Sequence, residues 1–268
     1  MHPMLNIAIR AIRKGGNIIA QNYDAQKFIK EDFEKKQYFI KKVMYKTYQT
    51  ISEIIYKYYP NHIIIKKNTN YIFNDKKILW IINELDGKKN FIKNFPHFCI
   101  SIAVIIKKNT EISVIYDPIK NDLFTSVRGQ GSQLNGYRTR CANINSLSDT
   151  TISTNLIFQE IQFKSYFKIY KKLILSGISF RYTGSTLLDL AYVSSGRIDC
   201  LIVNCDSLNS PNFIAGQAQA LESGCLTSNF QEKNVDLNLN LTSSSKFIKL
   251  ITEKIRECYV VSKDITLS

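Results

Sequence analysis

The sequence has no apolar run long enough to cross a bilayer. The longest run, Cys99 to Ile106, is far shorter than the roughly 20 residues that a membrane-spanning helix needs. No basic segment followed by an apolar stretch opens the chain, so a secretory signal is not indicated. We therefore expect a cytoplasmic location.

Closely spaced cysteine pairs are also absent. The six cysteines are scattered along the chain, and no two of them form a Cys-x-x-Cys pair. This distribution argues against a zinc site and against a disulfide framework. We expect the cysteines to be buried, reduced thiols.

Acidic residues are scarce. The chain has 36 lysines and arginines against 22 acidic residues, a formal net charge of +14. An excess of this kind favours a partner rich in phosphate, such as RNA. The chain is also crowded with Ile, Asn, Tyr and Phe, which adenine- and thymine-rich codons specify. Mutational drift in a biased genome could supply the same lysines without selection for binding, and both interpretations stay open at this point.

The apolar periodicity predicts an α/β protein whose N-terminal half is α+β. Helical spacing is found over Met4 to Asn22 and again over Val43 to Tyr58, and a series of short strands follows. After Cys141 helices and strands alternate. A chain of 268 residues can bury a sizeable core. We expect a single domain spanning 1–268, with an α+β half over 1–141 and an α/β half over 142–268.

Three local patterns carry further predictions. Ser210-Pro211 is typical of a helix start, with serine at the cap and proline at the first helical position. The glycine-rich segment from Arg128 to Gly136 follows antiparallel strands and precedes no helix, which favours a structural turn over a phosphate-binding loop. The short low-complexity stretch from Asn238 to Ser245 is interpreted as a loop.

The most informative stretch runs from Trp80 to Phe91, where an apolar strand passes into a polar segment. Ile78 to Ile82 is typical of a buried strand, and Asp86 to Asn90 is predicted to be the loop at its carboxyl end. Ligands of open α/β sheets tend to bind at such ends. The chemistry of the protein is therefore expected here.

This stretch resembles the metal-binding loop of the inositol monophosphatase family, whose pattern is Trp-Ile-Ile-Asp-Pro-Leu-Asp-Gly-Thr-Thr-Asn. Similar segments occur along the whole chain, among them Pro96-His97-Phe98, Tyr116-Asp117-Pro118 and Gly196-Arg197-Ile198-Asp199. The resemblance implies a layered α/β sandwich, often paired as a homodimer. It also implies magnesium-dependent hydrolysis of inositol phosphates.

The residues at the family's site positions depart from that chemistry. By the resemblance, Lys67 stands where the family has a ligand glutamate and Asn83 where it has a ligand aspartate. Lys88 replaces the threonine that orients water, and Asn212 replaces an aspartate at a helix start. Further family carboxylates correspond to two positions, Met44 and Val203 (or Asn204).

Only Asp86 keeps its carboxylate, with the Leu85 carbonyl as a further possible ligand. Hard cations such as magnesium require several oxygen ligands, so we expect no catalytic residues and no bound magnesium. The lysines Lys67, Lys88 and Lys89 are interpreted in two ways. In the first interpretation they are solvated residues that arose by mutational drift. In the second, either Lys67 or Lys88 now neutralises Asp86.

Three functions remain in competition. A bacterial branch of the family has a second role in ribosomal RNA transcription, and the resemblance implies a catalytically inactive Nus factor with RNA polymerase, NusA, other Nus factors and the rRNA leader as partners. The second function is a surviving inositol monophosphatase with weak or altered metal use. The third is a sequence-independent RNA-binding protein, which a steep salt dependence would support.

Overall fold

Two long amphipathic helices begin the chain and pack side by side on a large sheet. The computed structural model describes residues 2–25, 33–67, 69, 77–155, 160–204, 208, 210–232 and 237–260. The helices of these ranges are α1 (Pro3–Ala25), α2 (Phe33–Tyr58), α3 (Lys88–Ile92), α4 (Glu160–Ile174), α5 (Thr186–Ser194), α6 (Ile214–Glu222) and α7 (Ser245–Val260). No helix within them is both long and apolar enough to cross a membrane.

Twelve strands fall into two sheets in the described part of the chain. They are β1 (Ile63–Lys66), β2 (Leu79–Asp86), β3 (Cys99–Ile106), β4 (Asn109–Asp117), β5 (Asp122–Val127), β6 (Gly131–Leu134), β7 (Tyr137–Thr139), β8 (Thr151–Thr154), β9 (Ser179–Arg181), β10 (Cys200–Val203), β11 (Leu226–Glu232) and β12 (Leu237–Ser243). The first sheet keeps chain order from β1 to β7, and the second has the order β11-β12-β10-β8-β9.

Strand direction separates the two halves of the molecule. In the first sheet β1 and β2 are parallel, and each later neighbour is antiparallel. In the second sheet β9, β8 and β10 are mutually parallel, β12 is antiparallel to β10, and β11 is antiparallel to β12. The first half is therefore a meander, as the closely spaced strands of the sequence predict.

Four apolar clusters define the layers. The first fills the space between α1, α2 and one face of the first sheet, and the second covers the other face of that sheet with α5 and α6. A third packs α5 and α6 against β10, and a fourth packs the second sheet against α4 and α7. The resulting order of helices, sheet, helices, sheet, helices confirms the predicted layered α/β sandwich.

Local structure corrects three predictions. The segment after Asp86 is not a loop throughout, because Lys88–Ile92 forms the short helix α3. The segment from Arg128 to Gly136 was predicted to be a structural turn, and it consists of two turns around Gly131–Leu134, a strand that pairs with both neighbours. Most of the stretch from Asn238 to Ser245 lies in β12, where Leu239 and Leu241 are buried on one face. The alternation of leucine and asparagine from Leu237 to Leu241 is typical of a strand, and the low-complexity interpretation overlooked it.

The start of α6 differs as well. Ser210 and Pro211 open a turn, and the helix begins only at Ile214, after the backbone carbonyl of Ser210 accepts hydrogen bonds from Phe213 and Ile214. Among the described cysteines, Cys99, Cys200, Cys225 and Cys258 are buried free thiols, and Cys141 is partly exposed. Cys205 lies outside the described residues.

Candidate functional site

The candidate site lies where strand β2 ends and helix α5 begins. β2 delivers Asp86 to this point, and its carboxylate oxygen Oδ2 accepts hydrogen bonds from the Ser185 hydroxyl at 2.7 Å and from the Leu187 amide at 3.0 Å. The first amides of a helix have no partner within the helix itself. Asp86 therefore provides an acceptor for an amide in the first turn of α5 and joins the first half of the chain to the second.

Lys67 approaches the same strand end from β1. Its ammonium group donates a hydrogen bond of 2.9 Å to the carbonyl oxygen of Leu85. Burial raises the pKa of the Asp86 carboxyl, and the neighbouring Lys67 charge is the largest influence that lowers it. The Ser185 and Leu187 hydrogen bonds also lower this pKa, and the nearby Asp189 raises it. Lys67 is thus close enough to stabilise the ionised form of Asp86.

Asn83 and Glu84 lie in β2 just before Leu85. The side-chain oxygen of Asn83 accepts a hydrogen bond of 3.3 Å from the Leu85 amide, so this oxygen is used within the strand. Both side chains are buried, and the Asn83 Nδ2 and Glu84 Oε2 atoms have no hydrogen-bond partner in the part of the chain that the structure describes. The pairing of β2 with β3 is irregular between Asn83 and Asp86, which bends the chain at the site.

A second carboxylate, Asp189, lies one helical turn into α5 and was not singled out from the sequence. It is buried, with hydroxyl donors Ser153 and Thr183 both at 2.6 Å from its Oδ2 atom. His97 Nε2 lies 3.1 Å from its Oδ1 atom. The available signal was a lone acid within the apolar run Leu187 to Ala191, because a buried carboxylate requires partners.

Asn90 of α3 makes a further connection between the halves. Its side-chain amide donates to the carbonyl oxygens of His97 and Thr183, both at 2.7 Å. Gly184 packs so closely that an added Cβ would lie 3.1 Å from the Asn90 side chain, and Gly184 has a positive φ of 82°. The segment after β2 is therefore held on both sides.

The remaining site positions are more scattered. Lys88 is the first residue of α3, and Asn212 lies in the turn before α6. Among the described residues, no hydrogen bond joins either side chain to Asp86. Lys89 is exposed, and Met44 packs partly buried against the core on the α2 side. Val203 is buried at the end of β10.

The oxygen atoms available at the strand end do not form a suitable ligand set for a magnesium ion. Magnesium takes near-octahedral oxygen ligands and is usually held by one or two carboxylates. Here the Leu85 carbonyl already accepts from an ammonium, and the Asn83 oxygen accepts from a backbone amide. A lysine charge about 4 Å from such an ion would repel each unit of its charge by about 4 kcal/mol at an effective dielectric of 20. In the described ranges no three His, Cys, Asp or Glu residues are grouped to hold a metal.

Fold, strand-end site and sequence together define the class of protein. The model of the inositol monophosphatase family matches residues 1–258, and the chain belongs to this family. Solved structures share the fold. An extragenic suppressor protein suhB from Bartonella henselae has a TM-score of 0.77 at 23% identity, covering 95% of this chain and 100% of that chain. The Thermotoga maritima IMPase has a TM-score of 0.76 at 22% identity, covering 96% and 98%.

Within the family, the chain is similar in sequence to relatives named Nus factor SuhB. It is 71% identical to that of Buchnera aphidicola subsp. Schizaphis graminum, over 97% of this chain and 98% of the relative. It is 43% identical to that of Escherichia coli strain K12, over 86% of each chain. The resemblance inferred from the sequence is confirmed.

Proposed function

We propose that this protein is a Nus factor that acts by binding and not by phosphatase catalysis. In this proposal it is a cytoplasmic subunit of the antitermination complex on ribosomal RNA operons, where it supports ribosome biogenesis. Its partners are RNA polymerase, NusA, the other Nus factors and the rRNA leader. The names of its relatives support the class of role, and the family resemblance supports the partners.

One observation carries the catalytic part of the proposal. The Lys67 ammonium lies 2.9 Å from the Leu85 carbonyl oxygen and is the main charge that lowers the pKa of Asp86. A fixed cation contacts the same strand end from which a metal-dependent family member would hold magnesium. This ammonium can neutralise the aspartate, but it cannot polarise a phosphate as a divalent ion does or generate a metal-bound hydroxide.

The intact scaffold supports the binding part. Gly87 has a positive φ of 80°, and an added Cβ there would lie 2.8 Å from the His97 carbonyl oxygen. The Asn90 side chain also donates a hydrogen bond to the Thr183 carbonyl, and Asp86 accepts one from the Leu187 amide at the start of α5. These contacts keep the folded surface in place while the metal ligands are replaced, as expected when the surface and not the ligand set is required.

The test combines binding and turnover on one preparation. The purified full chain is immobilised and exposed to RNA polymerase and NusA of its host in about 0.15 M salt, and the same preparation is assayed with inositol monophosphate and magnesium. We expect retention of both partners and no hydrolysis above background. An unrelated protein of similar net charge serves as the control for capture by charge alone.

The two halves of the proposal fail separately. Hydrolysis that a chelator abolishes would overturn the loss of catalysis and favour the phosphatase alternative. Retention no greater than that of the basic control protein would overturn the Nus-factor role, whatever the turnover result.

A further inference from the structure

The outer face of α2 carries a line of large aromatic and basic side chains. Tyr38, Lys42, Tyr45, Gln49 and Tyr56 are exposed and recur at multiples of three and four residues, so they lie on one side of the helix. The three tyrosines are 73%, 56% and 45% exposed. We call these five residues the α2 stripe.

The stripe is not needed to dock the helix. The opposite face of α2 packs the helix onto the core, with Val43, Thr47, Ile51 and Ile55 buried against α1 and the first sheet. Tyrosine rings bury large areas when they find a partner, and their polar tips suit an interface that is partly wet. Three such rings aligned on a solvent-facing helix therefore indicate an interaction surface.

The electrostatic surroundings of the stripe are basic. α2 contains six lysines against two glutamates, Glu34 and Glu53. On β1, the Lys66 ammonium lies 5.7 Å from the centre of the Tyr45 ring and 4.6 Å from that of the Tyr48 ring, which are cation–π distances. Gln49 also donates a hydrogen bond of 2.9 Å to the Tyr45 hydroxyl. These contacts restrict the Tyr45 ring before any partner arrives.

Positive charge interleaved with accessible aromatic faces is the combination that binds single-stranded nucleic acids. Lysines track the phosphates, and the bases stack on the rings without regard to sequence. With a rise of 1.5 Å per residue, Tyr38 and Tyr45 are about 10 Å apart along the helix, and Tyr45 and Tyr56 about 16 Å apart. The stripe is therefore long enough to contact several nucleotides of an extended strand.

We propose that the α2 stripe binds single-stranded RNA. A second copy of the chain is a poorer occupant, because two stripes with the same lysine excess would repel each other. Unpaired RNA bases are accessible for stacking, whereas the bases of a duplex are already stacked on one another. The choice of RNA over single-stranded DNA rests on the proposed function in transcription. The proposal that the stripe binds a single-stranded nucleic acid rests on the surface alone.

The test measures fluorescence anisotropy of a labelled mixed-sequence RNA 20-mer with the full chain, without polymerase or NusA. We expect Tyr45→Ala to weaken binding at least about fivefold, which corresponds to the lower end of the effect of losing one stacked base. Lys46 is exposed on α2 next to Tyr45 of the stripe. Lys42→Ala with Lys46→Ala should reduce the slope of log affinity against log salt by about 1.4, since each phosphate contact to a single strand contributes about 0.7.

Matched controls lie elsewhere on the surface. Tyr137 is 80% exposed on β7, and Lys246 and Lys249 are exposed on α7, so Tyr137→Ala and Lys246→Ala with Lys249→Ala repeat the same chemical changes. We expect these variants to bind like the parent, with all melting midpoints unchanged. Equal losses in stripe and control variants would overturn the proposal, as would duplex RNA or single-stranded DNA of the same sequence binding more tightly.

Two further results would contradict it. Binding of the parent that is undetectable at low salt would remove the RNA site without affecting the proposed Nus-factor role. A parent that sediments as a dimer and becomes monomeric on Tyr45→Ala, with RNA affinity unchanged, would assign the stripe to a second copy of the chain.

Discussion

At the residue scale, an ammonium group and a magnesium ion both seek oxygen, but they use it differently. The ammonium donates hydrogen bonds and carries one charge, whereas magnesium requires short contacts from several oxygens at once. Lys67 meets the first requirement through the Leu85 carbonyl and the nearby Asp86 charge. A long lysine side chain can therefore stabilise this strand end together with its aspartate.

The contribution of Lys67 to stability is testable. In Lys67→Met the buried Leu85 carbonyl loses its side-chain donor and Asp86 loses its nearest opposite charge, so we expect a loss of about 1–3 kcal/mol at pH 7. This corresponds to a melting midpoint lower by several degrees. Lys89→Met is the matched control, since Lys89 is exposed one residue beyond Lys88, and it should melt like the parent.

The same variant has a defined pH dependence. Burial already raises the pKa of Asp86, so folding stability falls as pH rises through that folded pKa. Removing Lys67 raises this pKa further. We therefore expect the stability difference between Lys67→Met and the parent to be largest at neutral pH and to shrink on acidification, as Asp86 takes up its proton. Denaturant melts from pH 4 to pH 8 measure it, and a difference that grows toward low pH would refute the proposed contact.

At the element scale, close approach between α5 and α6 positions the second half of the site. Gly216 lies against Leu190, and an added Cβ would lie 2.6 Å from Leu190 Cδ1 and 2.8 Å from Leu190 Cβ. A real side chain there would have to push the helices apart. Because α5 carries Ser185 and Asp189, such a shift would also disturb the contacts to Asp86 and His97.

A double-mutant cycle checks this packing. We expect Gly216→Ala to destabilise the protein by about 1–3 kcal/mol through overpacking, despite the better helix propensity of alanine. In a Leu190→Ala background the 2.6 Å contact with Cδ1 is removed but the 2.8 Å contact with the Cβ of residue 190 remains, so the same substitution should cost clearly less than in the parent. Equal costs in both backgrounds, measured by urea denaturation, would show that the glycine is required for another reason.

Elements with strong helical periodicity could be predicted from the sequence, but one regularly alternating strand was overlooked. Helical spacing over Met4 to Asn22 predicted helix α1, which spans Pro3–Ala25, because its apolar residues recur on one face. Strand β12 was missed because its stretch was interpreted as low-complexity, although leucine alternates with asparagine from Leu237 to Leu241. The positions of the site could be predicted from the resemblance, but the Lys67 contact depends on how β1 and β2 pair, which no local pattern encodes.

At the scale of the whole molecule, the stability of the sandwich is expected not to depend on magnesium. A site with a dissociation constant of about 0.1 mM would add about 2.7 kcal/mol at 10 mM ion. We expect the apo protein to unfold cooperatively and its melting midpoint to be the same with and without 10 mM magnesium. A shift of several degrees in differential scanning fluorimetry would reveal a metal site among these residues.

A rebuilt variant provides the matching positive case. Lys67→Glu, Asn83→Asp, Lys88→Thr and Asn212→Asp together restore most of the family's ligands, so we expect a magnesium-dependent rise in the melting midpoint. Phosphatase activity should remain weak, because positions such as Met44 and Lys89 are also altered and a site loose by about 1 Å loses most of its rate. Association with RNA polymerase and NusA should be unchanged; its loss would mean that the lysines belong to the binding surface.

The helix cap formed by Asp86 gives this carboxylate a structural role that does not depend on a metal ion. A residue with a single task can be exchanged freely once the task ends, but Asp86 also accepts hydrogen bonds from Ser185 and Leu187 across the two halves of the chain. Losing it would leave the Leu187 amide and the Ser185 hydroxyl without this acceptor and would remove one connection between the two halves. If catalysis is lost as proposed, a carboxylate that also joins the two halves is expected to outlast those whose only role was to bind a metal.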